Sequence, residues 1–215
     1  MTRAVFDDAL MQLHYDLVKM AVFTEKAIGD AVIALENRDK ALAEAVIKND
    51  DTIDGMERQI EHKCIHIMAT QQPIARDLRL ITAILKMITD LERIADHATD
   101  ISEYTLQIIE NSNLPFPEDM PKMADIGCRM VKDAINSYVY GDIELAKQVI
   151  AKDQEVNAAF DNCIKRLEEM LKQYPNDSNS IIQYVLIAKY LERIGDHSTN
   201  LAEWAMFNIT GNHDK

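Results

Sequence analysis

Apolar residues recur every three or four positions along most of the chain, and this spacing predicts amphipathic helices. The first of them continues to about Asp39. Asp39 is a good N-cap for a second helix over residues 40–70, which ends before Pro73 because the residue before a proline avoids helical geometry. A third helix is predicted over residues 74–111.

The segment NSNLPFPEDMP, residues 111–121, interrupts the helical pattern with three prolines and is the best domain boundary in the chain. Beyond it the same helix-capping and helix-ending residues recur about 100 residues later, so the chain contains two copies of a three-helix unit. Long helices with short connections form antiparallel bundles. The sequence therefore predicts an all-α fold of two tandem three-helix bundles, residues 1–113 and 114–215. The matching positions are Asp39 and Asp142, Pro73 and Pro175, and Glu92 and Glu192.

A seven-residue word, LERIADH at residues 91–97, returns as LERIGDH at residues 191–197 on the third helix of each unit. At about 100° per residue, the acidic side chains from Glu92 to Glu103 share an arc of about 80° opposite an apolar seam. A run of charge is usually a solvated face. The same arc is apolar nearer the N-terminus, which instead indicates an interface leading into a carboxylate cluster. The arc carries Leu78, Ile81, Leu85, Glu92, Asp96, Asp100 and Glu103, then Ile181, Val185, Glu192, Asp196 and Glu203, and the first seam is Leu91, Ile94, Ala98 and Ile101.

The second helix has acidic residues of its own, with Asp50 and Asp54 one turn apart. If the second and third helices pack antiparallel, these carboxylates face Glu92, Asp96 and Asp100. Like charges crowded together repel unless a cation lies between them. Carboxylate oxygens are hard ligands that suit Mg²⁺, Mn²⁺, Ca²⁺ or iron. Acidic pairs at this spacing are also common on ordinary helices, so the residues alone leave a metal site and a solvated face both open.

The charge balance limits the classes of partner. The chain has 36 acidic and 23 basic residues, a formal net charge of −13, and no stripe of Lys and Arg. A nucleic-acid binder requires a basic footprint, so cations or basic protein surfaces are the expected partners. The chain lacks a signal peptide and any run of 18 apolar residues, so we expect a soluble, cytoplasmic protein. The widely spaced cysteines, Cys64, Cys128 and Cys163, are expected to be buried thiols.

No motif for catalysis is present. The sequence has neither a glycine-rich phosphate loop nor a nucleophile elbow, and we predict no catalytic residue. A ferritin-like carboxylate protein would place glutamates three residues before histidines, and none of the six histidines has one. A ferritin-like or metal-storage protein stays the alternative, beside a plain helical scaffold whose acidic stripe binds a basic partner.

Three smaller features have ordinary interpretations. Arg93 is expected to pair with Asp96 within its own helix. His97 and His197 fall off the acidic arc and are expected at the surface or its edge. The HKCIH segment, residues 62–66, has histidines at zinc-ligand spacing but lacks the further paired ligands that a zinc site needs.

Two segments and the tandem layout resemble the PhoU family of bacterial phosphate-transport accessory and regulatory proteins. The segments are QQPIARDLRLITAILKMITDLERIADHATDI, residues 71–101, and YLERIGDHSTNLAEW, residues 190–204, and the resemblance covers the whole chain. It implies two three-helix bundles with pseudo-twofold symmetry, and metal clusters held by paired E/DxxxD motifs. It also implies a non-enzymatic adaptor, expected as a homodimer, that works with a phosphate ABC transporter ATPase and a sensor histidine kinase. Such an adaptor reaches the membrane only through these partners, and it helps to silence the phosphate-starvation response when phosphate is plentiful.

Transferred residue by residue, the resemblance implies a complete first metal site and an incomplete second one. Asparagines stand in the second copy where the first has Asp54 and Asp100, and an amide offers an oxygen ligand without a charge. The ions would be divalent or trivalent, from among Mg, Mn, Fe, Ca and Zn. The first set is Asp50, Asp54, Glu92, Asp96 and Asp100. The second set is Asp153, Asn157, Glu192, Asp196 and Asn200.

Overall fold

The computed structural model of the chain describes residues 3–212, and the side chains of residues 5–212. Most of these residues are helical and no strand occurs among them, which confirms the predicted all-α class. Within the described part of the chain, no helix has a stretch apolar enough to span a bilayer. The helices are α1 (Arg3–Asn37), α2 (Lys40–Gln71), α3 (Ala75–Asn111), α4 (Met120–Tyr140), α5 (Ile143–Gln173) and α6 (Ser178–Thr210), with a short 3₁₀ helix at Pro175–Asp177.

Helices α2 and α5 begin in the same way, as the repeated capping residues predict. The carboxylates of Asp39 and Asp142 each accept a hydrogen bond, at 3.0 Å, from the backbone N–H three residues later. The residues before these caps, Arg38 and Gly141, are left-handed, with φ of 53° and 67°. Glycine adopts this φ freely and arginine does not. The Nη2 atom of Arg38 donates to two carbonyls of the last turn of α3, at 3.3 and 3.2 Å. These hydrogen bonds compensate for the unfavourable φ of this residue.

Each set of three consecutive helices packs together. Helices α1, α2 and α3 contact one another, and so do α4, α5 and α6. The two bundles meet mainly through α3 and α6, and α1 also contacts α4. Helices α3 and α6 run antiparallel, since Asp90 bonds to Asn200 and Gln107 bonds to Gln183. The long third helix of each bundle therefore forms the centre of the molecule.

The contact between α3 and α6 has approximate twofold symmetry. Asn200 on α6 donates to Asp90 on α3 at 3.0 Å. At the positions exchanged by the repeat, the hydroxyl of Tyr190 on α6 donates to Asp100 on α3. The rings of the two histidines in the repeated word lie between these bonds, with centroids 5.5 Å apart. The interface thus has the pseudo-twofold symmetry that the family resemblance implies.

The predicted apolar seam of α3 lies in the core. Its four residues, Leu91, Ile94, Ala98 and Ile101, are fully buried. On the opposite arc, Ile81 and Ile181 are buried and Leu85 is half-buried, whereas Leu78 is 41% exposed. The interface predicted from the apolar part of this arc is therefore present, but it does not extend to its first residue.

The prediction that His97 lies at the surface or its edge is wrong. This residue is only 7% exposed, and its ring packs at a tilt against the rings of His197 and Tyr190 of α6. Burial lowers the pKa of His97 to about 4, so the ring is neutral at pH 7. His197 is at the edge of the same contact and is half-buried. Helix α3 is covered on a second side by α6, which a single apolar seam does not reveal.

The cysteines largely match their prediction as buried thiols. Cys64 and Cys163 are buried, Cys128 is half-buried, and all three are free. Burial raises the pKa of Cys64 and Cys128 to about 12 and that of Cys163 to about 11. The thiols therefore stay protonated and unreactive at neutral pH.

Candidate metal centre

Three aspartates converge where α2 packs against α3. Asp50 and Asp54 are one turn apart on α2, and Asp96 comes from α3. One carboxylate oxygen of each lies within 4.8 Å of the other two. These three residues are termed the first cluster. Oxygens on opposite sides of one cation, bound at about 2.1–2.5 Å, are about 4–5 Å apart, so the spacing fits a single shared ion.

The first cluster is electrostatically unfavourable by itself. Burial, followed by the charges of Asp96 and Asp54, raises the pKa of Asp50. Burial also raises the pKa of Asp96, although Arg93 opposes the change. The Oδ1 atom of Asp50 is buried and accepts no hydrogen bond. A cation would supply the missing partner and remove the repulsion, so these residues fit a bound metal.

Glu92 lies beside the first cluster, one turn before Asp96. Burial, and then the charge of Asp96, raises the pKa of Glu92 to about 7. Its Oε2 is buried and accepts no hydrogen bond, although the Nε atom of Arg93 forms an ion pair with it at 3.4 Å. Arg93 also donates from Nη1 to Asp96 Oδ2 at 3.0 Å, which confirms the predicted pair within the helix. Arg93 is more than half exposed and compensates the carboxylates only from the outside.

Asp100 does not join the first cluster. Its carboxylate accepts a hydrogen bond from the Tyr190 hydroxyl, and its Oδ2 lies 3.6 Å from Nδ1 of His97. The structure therefore brings together three residues of the predicted first set and places Glu92 beside them. Asp100, the fifth residue, links α3 to α6 instead.

The second set is arranged differently from the first. Asn157 donates from Nδ2 to Asp153 Oδ2 at 2.8 Å, at positions where the first bundle has two carboxylates. The ammonium group of Lys189 donates to Glu192 Oε2. Asp196 is exposed, and the acidic residues of this set do not converge on one point in the described part of the chain. The five residues of this set are termed the second cluster, although its acidic members do not converge within the described residues. With Lys189 beside them, they already contain an amide donor and a neighbouring cation.

Asn200 and Lys189 explain why the second set is arranged differently from the first. Asn200 is held by Asp90 in the contact between α3 and α6, where His197 Nδ1 also lies 2.8 Å from Asp90 Oδ1. Lys189, which neutralises Glu192, is absent from the predicted set. The repeat contains the signal that identifies it, because a lysine stands where the first copy has Thr89.

The match to a known family covers both bundles. A family model described as the PhoU domain matches residues 17–105 and again residues 120–205. The chain belongs to the PhoU family. It is 37% identical over 212 residues to the phosphate-specific transport system accessory protein PhoU homolog of Clostridium acetobutylicum, covering 98% of this chain and 97% of that one. It is 33% identical over 207 residues to the homolog of Pseudomonas putida, covering 96% and 81%.

Solved PhoU structures share the fold. The crystal structure of PhoU from Pseudomonas aeruginosa superposes with a TM-score of 0.91 at 32% identity, covering 96% of this chain and 100% of that one. The phosphate transport system regulatory protein PhoU from Streptococcus pneumoniae superposes with a TM-score of 0.89 at 25% identity, covering 98% and 99%. The family membership expected from the two repeated segments is therefore confirmed.

The oxygen atoms of this PhoU-family chain determine which ions its first cluster suits. Three carboxylates offer hard oxygen ligands, the kind preferred by Mg²⁺, Ca²⁺ and Mn²⁺. In the HKCIH segment, His62 and His66 are exposed on either side of buried Cys64, and no group of three ligands forms there within the described residues. In the described part of the chain, the first cluster is the one group of three potential ligands that converges.

Proposed function

We propose that this PhoU-family chain is a non-catalytic regulator of a phosphate-specific transport system. The observation that carries the proposal is its similarity, over 98% of its length, to a protein named as an accessory protein of such a system. Both bundles take part in that similarity, so a role of the whole molecule is transferred rather than that of one segment.

The regulator acts as an adaptor on the cytoplasmic side of the membrane. It contacts the ATPase of a phosphate ABC transporter and a sensor histidine kinase, and it keeps the phosphate-starvation response silent when phosphate is plentiful. A helical molecule with a net charge of −13 suits basic surfaces on these partners. It works as a homodimer and reaches the membrane only through its partners.

Metal at the first cluster is part of this proposal. Asp50, Asp54 and Asp96 hold one divalent or trivalent cation, with Glu92 available as a further ligand once it loses its proton. Among Mg, Mn, Fe, Ca and Zn, the all-oxygen donor set favours the harder ions. The bound ion supplies positive charge that holds α2 against α3. Asp50 and Asp54, one turn apart on α2, place their carboxylates on the side of that helix that faces Asp96 of α3, and so position the ion.

Complementation tests the regulatory role. A bacterial strain that lacks its own PhoU gene, and carries a phosphate-starvation reporter, receives the gene for this chain. We expect the reporter to be silent in high phosphate with the wild-type chain and active with an empty vector. A reporter that stays active with well-expressed protein would contradict the regulatory role.

A second experiment separates the metal from the regulation. Asp96→Asn is compared with Asp161→Asn, an exposed aspartate on α5 whose replacement changes the net charge equally. Metal analysis after purification without chelator should show loss of metal for Asp96→Asn alone. Equal metal content in both variants would refute metal binding at the first cluster, whatever the reporter shows. Iron oxidation with turnover would instead favour the metal-storage alternative.

A further inference from the structure

A cavity of about 640 Å³ opens at one end of the molecule, far from the first cluster. It lies where the start of α3 meets α1 and the ends of α4 and α6, and it is termed the end cavity. Residues that line it include Leu10, His14, Arg76, Arg79, Tyr138 and Asn208. At 1.5 Å per residue, Arg79 is roughly 25 Å along α3 from the first cluster. The two sites are therefore separate.

Two arginines in the end cavity have no acidic partner. The chain has 36 acidic residues, yet neither Arg76 nor Arg79 forms an ion pair within the described residues. The Nε atom of Arg79 is buried and donates no hydrogen bond. A buried guanidinium donor without an acceptor is costly, and an anion in the cavity would satisfy it.

The acidic residue that lines the cavity is occupied elsewhere. Asp77 is buried, and its Oδ2 accepts a hydrogen bond from the backbone N–H of Ile74 at 3.4 Å, at the start of its own helix. With two arginines against one carboxylate, the wall keeps a net positive charge. The first turn of α3 adds the positive end of its helix dipole to the same wall.

The charge and shape of the end cavity favour a phosphate group. Arg76 and Arg79 are three residues apart, on one side of α3, and each guanidinium offers five donors. Such a pair matches a doubly charged group with several oxygens better than it matches a single carboxylate. The volume lies in the range of small-molecule sites and exceeds the needs of a bare phosphate ion. Tyr138 and the exposed Tyr140 give the cavity an aromatic wall.

We propose that the end cavity binds a phosphate-bearing small molecule, with Arg76 and Arg79 holding the phosphate group and the tyrosine wall contacting the organic part. His14 Nδ1 lies 2.7 Å from the Tyr138 hydroxyl, and this hydrogen bond fixes the wall. A ligand here contacts both bundles, because α1 and α3 belong to the first and α4 and α6 to the second. This site is independent of the first cluster and of the proposed regulatory role.

Isothermal titration calorimetry tests the end cavity. The probes are ADP, inorganic phosphate and adenosine, and EDTA is present so that no metal ion mediates phosphate binding. We expect ADP to bind, and Arg76→Gln and Arg79→Gln each to weaken it about tenfold or more, the effect of losing one charge-assisted pair. The control is Arg129→Gln, an exposed arginine of α4 outside the cavity, which should change the affinity by less than about twofold.

Each outcome of the calorimetric titrations either supports or overturns a part of the proposal. Adenosine should bind weakly or not at all. Inorganic phosphate that binds as tightly as ADP, with the same dependence on both arginines, would support the phosphate site and overturn the contact with an organic part. No binding by any probe at about 10 mM, or no effect of Arg76→Gln, would overturn the site itself. Arg76 is exposed, so its replacement tests binding without endangering the fold.

Discussion

Replacing Asp96 with asparagine should stabilise the metal-free protein and destabilise the metal-bound one relative to the wild type. One carboxylate oxygen of each residue in the first cluster lies within 4.8 Å of the other two. At that separation two unit charges repel by about 1 kcal/mol in water and by about 3 kcal/mol at an effective dielectric of about 20. Asp96→Asn removes the repulsions with Asp50 and Asp54.

Solvent reduces the size of this effect. The side chains of Asp96 and Asp54 are 31% and 34% exposed, so the repulsion lies at the lower end of that range. The substitution also removes the exposed ion pair with Arg93, which contributes about 0.3–0.5 kcal/mol. A net stabilisation of about 1 kcal/mol remains, equivalent to about 2–4 °C in melting temperature for a chain of this size.

Metal should reverse the order of the two proteins. An ion at 100 times its dissociation constant stabilises the folded state by about 2.7 kcal/mol, or about 5–10 °C. The wild type should show this gain with Mn²⁺, and Asp96→Asn should lose most of it. Thermal unfolding followed by circular dichroism at 222 nm, in EDTA and in MnCl₂, measures both. Asp161→Asn is the control and should follow the wild type in both buffers. A lower melting temperature for Asp96→Asn in EDTA, or an equal gain with Mn²⁺, would refute the reasoning.

Three further predictions concern pH, the second cluster and packing. Because the pKa of Glu92 is raised to about 7 in the folded state, the metal-free protein should lose stability as pH rises from about 4.5 to 7, and Glu92→Gln should reduce that slope. Asn157→Asp combined with Lys189→Thr copies the first bundle and should raise the metal-to-protein ratio. Gly195→Ala places a Cβ 3.1 Å from a methyl group of Val156, so it should lower stability by about 1 kcal/mol, and Val156→Ala should reduce that loss.

Each of these predictions has an outcome that contradicts it. For Glu92, chemical unfolding across that pH range should show stability falling; a rise would reverse the sign of the linkage. For the second cluster, a metal ratio unchanged in the double variant would mean that local charge does not control occupancy. For the glycine, additive effects in the double variant would show that Val156 is not the residue that resists the new methyl group.

Helix positions follow from the sequence because their signals are local. The caps Asp39 and Asp142 and the break before Pro73 each act within a few residues, and the structure has all three. Convergence of Asp50 and Asp54 with Asp96 was also predictable, since antiparallel packing of adjacent helices brings their facing turns together. These conclusions require only the helical period and the order of the elements.

The contact between the two bundles could not be read in the same way. His97 and Asp100 lie off the apolar seam of α3, and a single helix gives no sign that α6 covers them. Polar side chains that pair across an interface resemble polar side chains that face water, because both interrupt the apolar pattern. Asp90 and Asn200 are a second example, joined across 110 positions of the chain.

Because one chain supplies both halves of the twofold contact between α3 and α6, the molecule resembles a homodimer whose two subunits are covalently joined. In a true homodimer every substitution appears twice, and a change that suits one half is forced on the other. Here the halves vary separately: Asp54 and Thr89 on one side correspond to Asn157 and Lys189 on the other. One half brings three carboxylates together, and in the other half a lysine neutralises Glu192. The two halves of a nearly symmetric fold therefore present different distributions of charge.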